Sequence, residues 1–297
     1  MKQRPLLGFF GLTFGLTWGL GACFALVPNQ LMAVFGKASI SNPLFILAVY
    51  APSISAIIMT CLLDGAAGIR RLIARLVQWR NGLRWYLAIL LGIPAGSAIA
   101  LLSSAAFTGT PLTLEHWYQL FLLGPTGHDI VRSLTSTSGG HFGVIGVILA
   151  SFFLDPGPLG EELGWRGFAL PRLLEGRSAF SAGAILGVIW GVWHLPAFFI
   201  AGTPQSHISI LPFMVTIVAE SVLITWVFNG TRGSVFMASL IHWTGNTCGG
   251  MGQMPLAIFT AAVMLIAAAV VVLVTGPAHL SRSPEHDSID VGKHAGA

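Results

Sequence analysis

The chain has 297 residues, 54% of them hydrophobic and 9% charged, with a mean hydropathy of +0.78 and a net charge of +4. A soluble protein carries about 25% charged residues, so too few polar side chains are present to cover a globule, and the composition specifies a polytopic membrane protein. The basic balance does not point to nucleic acid, because the lysines and arginines cluster beside apolar runs instead of forming one patch. Cys23, Cys61 and Cys248 suit neither a disulfide framework nor a zinc knuckle. Each falls in an apolar stretch and is expected to pack there as a small hydrophobe.

A bilayer crossing takes about 20 apolar residues. In chain order, spans are predicted over 6–28, 43–63, 85–107, 142–162, 180–201, 209–228, 235–254 and 255–276. The first follows Lys2 and Arg4 and is too long for a signal-peptide core. Leu20-Gly21-Ala22-Cys23 loosely resembles a lipoprotein cleavage site, but apolar sequence continues beyond Cys23, and the stretch reads as a retained helix. Before the third span, Ile69–Arg80 sets Ile69, Leu72, Ile73 and Leu76 on one helical face and Arg70, Arg71 and Arg75 on another. That is a basic amphipathic helix suited to the inner-leaflet surface. Trp79, Trp85 and Tyr86 mark the interface beside it.

Residues 108–141 contain Glu115, His116, His128 and Asp129 without metal spacing and read as an outer surface loop. Only the Gly249–Pro255 break separates the last two spans, so the count is eight, with seven as the alternative. Residues 1–276 are thus expected to form one domain, an all-α, polytopic membrane helix bundle of about eight transmembrane helices. The polar tail, 277–297, is expected to be disordered and cytosolic.

Orientation follows from the basic residues. With the N-terminus in the cytosol, Lys2, Arg4, Arg70, Arg71, Arg75, Arg80, Arg84, Arg166, Arg172, Arg177, Arg232, Arg282 and Lys293 lie inside, and only Lys37 and Arg132 outside. This asymmetry supports an even number of spans and two cytosolic termini.

Ionisable groups within the hydrocarbon are costly, about 2.5–3.5 kcal/mol at a helix centre on insertion scales, and mark function. Three late segments carry them. In Gly160-Glu161-Glu162-Leu163-Gly164-Trp165-Arg166, the adjacent carboxylates point about 100° apart, and Glu162 can pair with Arg166 at i,i+4. Glu161 then faces elsewhere, and a carboxylate partly stripped of water is a better base near neutral pH. In Trp190-Gly191-Val192-Trp193-His194-Leu195-Pro196, a histidine sits among aromatics, with Pro196 expected to kink the helix. In His242-Trp243-Thr244-Gly245-Asn246, His242 and Asn246 are at i,i+4 and are expected to enter one cavity as oxyanion donors. Each segment has a plainer reading, a helix-end charge cluster for the first and interhelical hydrogen bonding for the others. The three together favour an enzyme whose fourth, fifth and seventh spans converge on one cavity.

These segments, in this order and spacing, resemble the CPBP family, the type II CAAX prenyl endopeptidases and related bacterial proteins also called the Abi family. The pattern is Glu-Glu-x-x-x-Arg at Glu161, Glu162 and Arg166, aromatic-x-x-x-His at Trp190 and His194, and His-x-x-x-Asn at His242 and Asn246. The family usually has Phe where this chain has Trp190. The resemblance covers about residues 142–250 as a catalytic core. It implies that Glu161 and His194 activate water, that His242 and Asn246 hold the oxyanion, and that Glu162, Arg166 and Trp190 support them. It further implies an intramembrane endopeptidase cutting a peptide, or lipidated peptide, near the cytosolic face of what is read as a bacterial plasma membrane. Membrane lipids are the other partners. Metal-free chemistry is the favoured reading, since no His-Glu-x-x-His lies on one helix. If the chemistry uses a metal, zinc held by Glu161, Glu162, His194 and His242 is the alternative. The competing functions are a non-catalytic bacteriocin-immunity or peptide-binding membrane protein and, third, a transporter. Against transport, every motif falls in the second half with no hydropathy repeat between halves.

Overall fold

A computed structural model describes residues 4–37, 39, 41–113, 146, 150–153, 155–248 and 254–281. Every regular element among them is helical. In chain order these are α1 (Pro5–Leu26), α2 (Pro28–Phe35), α3 (Pro43–Val49), α4 (Ala51–Leu76), α5 (Leu83–Thr108) and α6 (Pro156–Gly164). A π-turn over Trp165–Ala169 leads into α7 (Leu170–Leu174), followed by α8 (Ala179–Trp193), α9 (Leu195–Phe198), α10 (Ile210–Gly230), α11 (Val235–Cys248) and α12 (Leu256–Thr275). Local chemistry sets several starts. The Asn42 side chain accepts from the amides of Leu44 and Phe45 at α3, Asp155 from Gly157 at α6, and Ser178 from Ser181 at α8.

Among the described residues, five helices, α1, α4, α5, α10 and α12, are long and apolar enough to cross a membrane. Leu87, Leu91, Leu265, Ile266 and Leu273 stand exposed on α5 and α12. A surface this apolar is matched to lipid tails. The protein is an integral membrane protein built as a polytopic helical bundle.

The remaining predicted spans are modified. The stretch over 43–63 is two helices, α3 and the start of α4, meeting at Tyr50. The stretch over 180–201 stops at Trp193 because His194 caps it and Pro196 opens α9, so Pro196 ends the helix instead of kinking it. The stretch over 235–254 is helical from Val235 to Cys248. Residues 249–253 of the break, 114–141 of the outer loop, most of 142–154 and the tail beyond Ser281 lie outside the described residues. Gly65, at φ +60, bends α4, and the basic amphipathic segment continues from there only to Leu76. Leu72 is buried and Arg70 and Arg71 exposed as expected, but Ile73 is exposed as well. Cys248 is buried, whereas Cys23 and Cys61 lie on exposed faces.

α10 is the central pillar, packed on α8, α12 and α11, while α6 is held between α4 and α11. Between helices in lipid the drive comes from close contact, not from expelling water, so small residues mark the crossings. A Cβ on Gly164 would lie 2.5 Å from the Pro52 carbonyl, and one on Gly187 2.8 Å from the Val218 Cα. Beside the site, Phe9 of α1 stacks on Phe168 at 5.1 Å and meets Trp165 edge-on, and Trp165 meets Trp193. This aromatic wedge joins the first helix to the motif-bearing helices.

Candidate active site

Glu161 and Glu162 sit on α6, and their adjacent positions send them to different partners. Glu162 is completely buried, and its Oε1 accepts from Arg166 Nη1 at 2.7 Å and from His242 Nδ1 at 2.8 Å. Arg166 Nη2 donates to Ser221 Oγ at 3.2 Å, and that hydroxyl donates on to the Gly183 carbonyl at 2.8 Å. One buried chain therefore ties α6, the π-turn, α8, α10 and α11 together. The anticipated Glu162–Arg166 pair forms, and it holds His242 as well.

Glu161 faces Trp190, whose Nε1 donates to Glu161 Oε2. Trp190 is 2% exposed and is the hub of the site. Its ring lies 5.1 Å from that of His242 and 5.8 Å from that of His194, and the Arg166 guanidinium stands 4.7 Å from its centroid. The three segments thus converge: Glu161, His194 and His242 all contact the same indole.

The tautomers follow from the partners. His194 caps α8, and its Nδ1 lies 2.8 Å from the Trp190 carbonyl, which only accepts, so Nδ1 carries a proton. In the neutral ring this leaves a lone pair on Nε2. His242 gives Nδ1–H to Glu162 in the same way, leaving Nε2 as its second nitrogen.

Asn246 stands nearer the surface than His242. It lies at the exposed rim, where its Nδ2 donates to Asp155 Oδ2 at 3.0 Å. A second N–H remains on the amide. A Cβ on Gly157 would stand 3.2 Å from that Nδ2 and 3.4 Å from Glu161 Oε1, so the amide and the carboxylate border one small space that this glycine leaves open.

Three polar neighbours were not picked out from the sequence. Asp155 was legible, since an Asp before Pro156 is a helix-start signal. Glu220 was legible too, as a lone carboxylate inside the apolar run of α10. Ser221 carries no signal, because an isolated serine in a membrane helix is ordinary.

Of the four side chains of the zinc alternative, Glu162 is shared between Arg166 and His242, whereas Glu161, His194 and His242 each engage a protein partner through one side-chain atom only. Among the described residues no group of three or more His, Cys, Asp or Glu side chains is arranged to hold a metal ion. As placed, these donors do not make a tetrahedral zinc site.

Comparison with known proteins centres on the same stretch. Residues 141–248 match the family model described as type II CAAX prenyl endopeptidase Rce1-like. CAAX prenyl protease 2 of Methanococcus maripaludis is 36% identical over 92 residues, which cover 29% of this chain and 34% of that protein. The chain thus spans about a third of the length of that relative. The glutamate pair, Trp190, His194, His242 and Asn246 all lie within the matched stretch. Over residues 141–248, and there alone, the chain is thus similar to the type II CAAX prenyl endopeptidases.

Proposed function

We propose that this protein is an intramembrane endopeptidase that hydrolyses a peptide bond by activated water, without a metal, and that its substrate is a lipidated peptide of the CAAX type. The observation that carries this reading is the convergence of Glu161, His194 and His242 on the Trp190 indole, with Asn246 across the space beside Gly157.

Glu161 has one oxygen fixed by Trp190, and its Oε1 faces the space that borders Asn246. A water there gives its proton to Glu161, with His194 Nε2 as a second acceptor that aligns it. The hydroxide attacks the carbonyl carbon. The resulting oxyanion takes hydrogen bonds from the free N–H of Asn246 and from His242 Nε2–H, which donates when the ring carries both protons. Collapse breaks the C–N bond, and the proton held by Glu161 passes to the leaving amine. Glu162 and Arg166 do not touch substrate; they hold His242.

The positive-inside asymmetry supports a reading with both termini in the cytosol and substrate entry on the cytosolic side. The name of the Methanococcus maripaludis relative, CAAX prenyl protease 2, supports a prenylated Cys-a-a-X terminus as the substrate.

The test is cleavage of a farnesylated peptide ending in Cys-a-a-X by the purified chain in detergent, with and without a strong chelator. The expected result is cleavage that chelator leaves intact and that is lost in Glu161→Ala and His194→Ala. Full activity in either variant overturns the site, and activity abolished by chelator overturns the metal-free chemistry. Binding of the peptide without cleavage points instead to a non-catalytic peptide-binding protein.

A further inference from the structure

Glu220 lies near the middle of α10 and is 7% exposed, in a helix whose neighbours are lipid and protein. Among the described residues no protein donor gives its carboxylate a hydrogen bond. A buried carboxylate held that way works against folding and is retained for what it does to its surroundings.

Its surroundings are the active site. The next residue, Ser221, accepts from Arg166. Glu220 Oε1 sits over the bare backbone of Gly245, where a Cβ would come within 2.6 Å of it. Gly245 follows His242 by three positions on α11, and residues so spaced are neighbours on one helix face. His242, Arg166 and Glu162 lie within electrostatic reach of Glu220. Arg166 is already engaged by Glu162 and Ser221. Among the described residues, only one nitrogen of His242, Nδ1, has a protein partner. Among the described residues, the charged and titratable groups around the His242 ring are Glu161 and Glu162 from α6, His194 from α8 and Glu220 from α10, with Arg166 of the π-turn sharing Glu162 Oε1 with it.

We propose that Glu220 is a positioning residue of the reaction: seated against Gly245, its carboxylate steadies the positive charge on His242 while that ring holds the oxyanion. The proposal rests on the hydrolytic reading above. Glu162 acts at one nitrogen of the ring by a hydrogen bond, and Glu220 acts from α10 through the field. A carboxylate present only for packing has no reason to face an imidazole, and one that binds substrate directly would act through KM.

The experiment compares wild type, Glu220→Gln, Glu220→Asp and Gly245→Ala on the farnesylated peptide. Glu220→Gln is expected to lower kcat by about 10- to 100-fold with KM nearly unchanged, a smaller loss than removing an oxyanion donor outright. Glu220→Asp recovers part of the rate. Gly245→Ala, which displaces the carboxylate without removing it, moves kcat the same way. Adding Glu220→Gln to His242→Ala slows the enzyme no further. Unchanged kcat, a loss carried in KM, or a loss additive with His242→Ala overturns the proposal. An independent readout is the side-chain nitrogen spectrum of 15N-histidine-labelled protein, with His242 assigned by its disappearance in His242→Gln. Its signals are expected to shift in Glu220→Gln while those of His194 stay in place. A stationary His242 overturns the proposal whether or not any peptide is cut, whereas failure of wild type to cleave overturns the hydrolytic reading alone.

Discussion

Two adjacent glutamates with the same chemistry are given different tasks by 100° of helix. Glu162 is walled in and shared between Arg166 and His242, so it is structural. Breaking a buried ion pair from one side strands the other charge, at about 3–5 kcal/mol. Glu162→Gln is therefore expected to lower the thermal unfolding midpoint in detergent markedly, whereas Glu161→Gln leaves the midpoint near wild type and removes cleavage. A pair of variants with matching unfolding curves would contradict this division. Gly157 makes a finer test. A methyl there intrudes on the space between Glu161 Oε1 and the Asn246 amide. Gly157→Ala is expected to cut kcat by about tenfold, as a misplaced reacting group does, without changing the unfolding midpoint.

At the scale of elements, the site exists because helices approach more closely than side chains ordinarily allow. Gly164 of α6 lies against the backbone of α4, and a rigid backbone cannot step aside. Overpacking of this kind costs about 1–3 kcal/mol. Gly164→Ala should lower the unfolding midpoint and, by moving α6, reduce activity. Gly176→Ala, whose added Cβ meets nothing within 4 Å, should change neither. A Gly164→Ala protein as stable as Gly176→Ala would show that α4 and α6 are less tightly joined than described. The shortness of α8 belongs here too. Ending at Trp193, it places His194 at a helix terminus, where backbone groups are free. The Trp190 carbonyl accepts from the histidine and fixes its tautomer.

For the whole molecule, the basic residues make the proposed orientation testable. In a cysteine-free background, Ser39→Cys, between α2 and α3, is expected to react with a membrane-impermeant maleimide on intact cells. Arg80→Cys, before α5, is expected to react only after permeabilisation. The reverse pattern inverts the topology, and with it the proposed entry side. The polytopic helical class and the motif-bearing segments were legible in the sequence because hydropathy and i,i+4 spacing are local properties. So was the Glu162–Arg166 pair, which one helix face is enough to specify. That His242 is the second partner of Glu162, that Trp190 gathers the site, and that Asn246 turns to Asp155 were not legible. These contacts join residues from 29 to 91 positions apart. Only the crossing of packed helices brings such residues together, and which small residue meets which backbone decides that crossing.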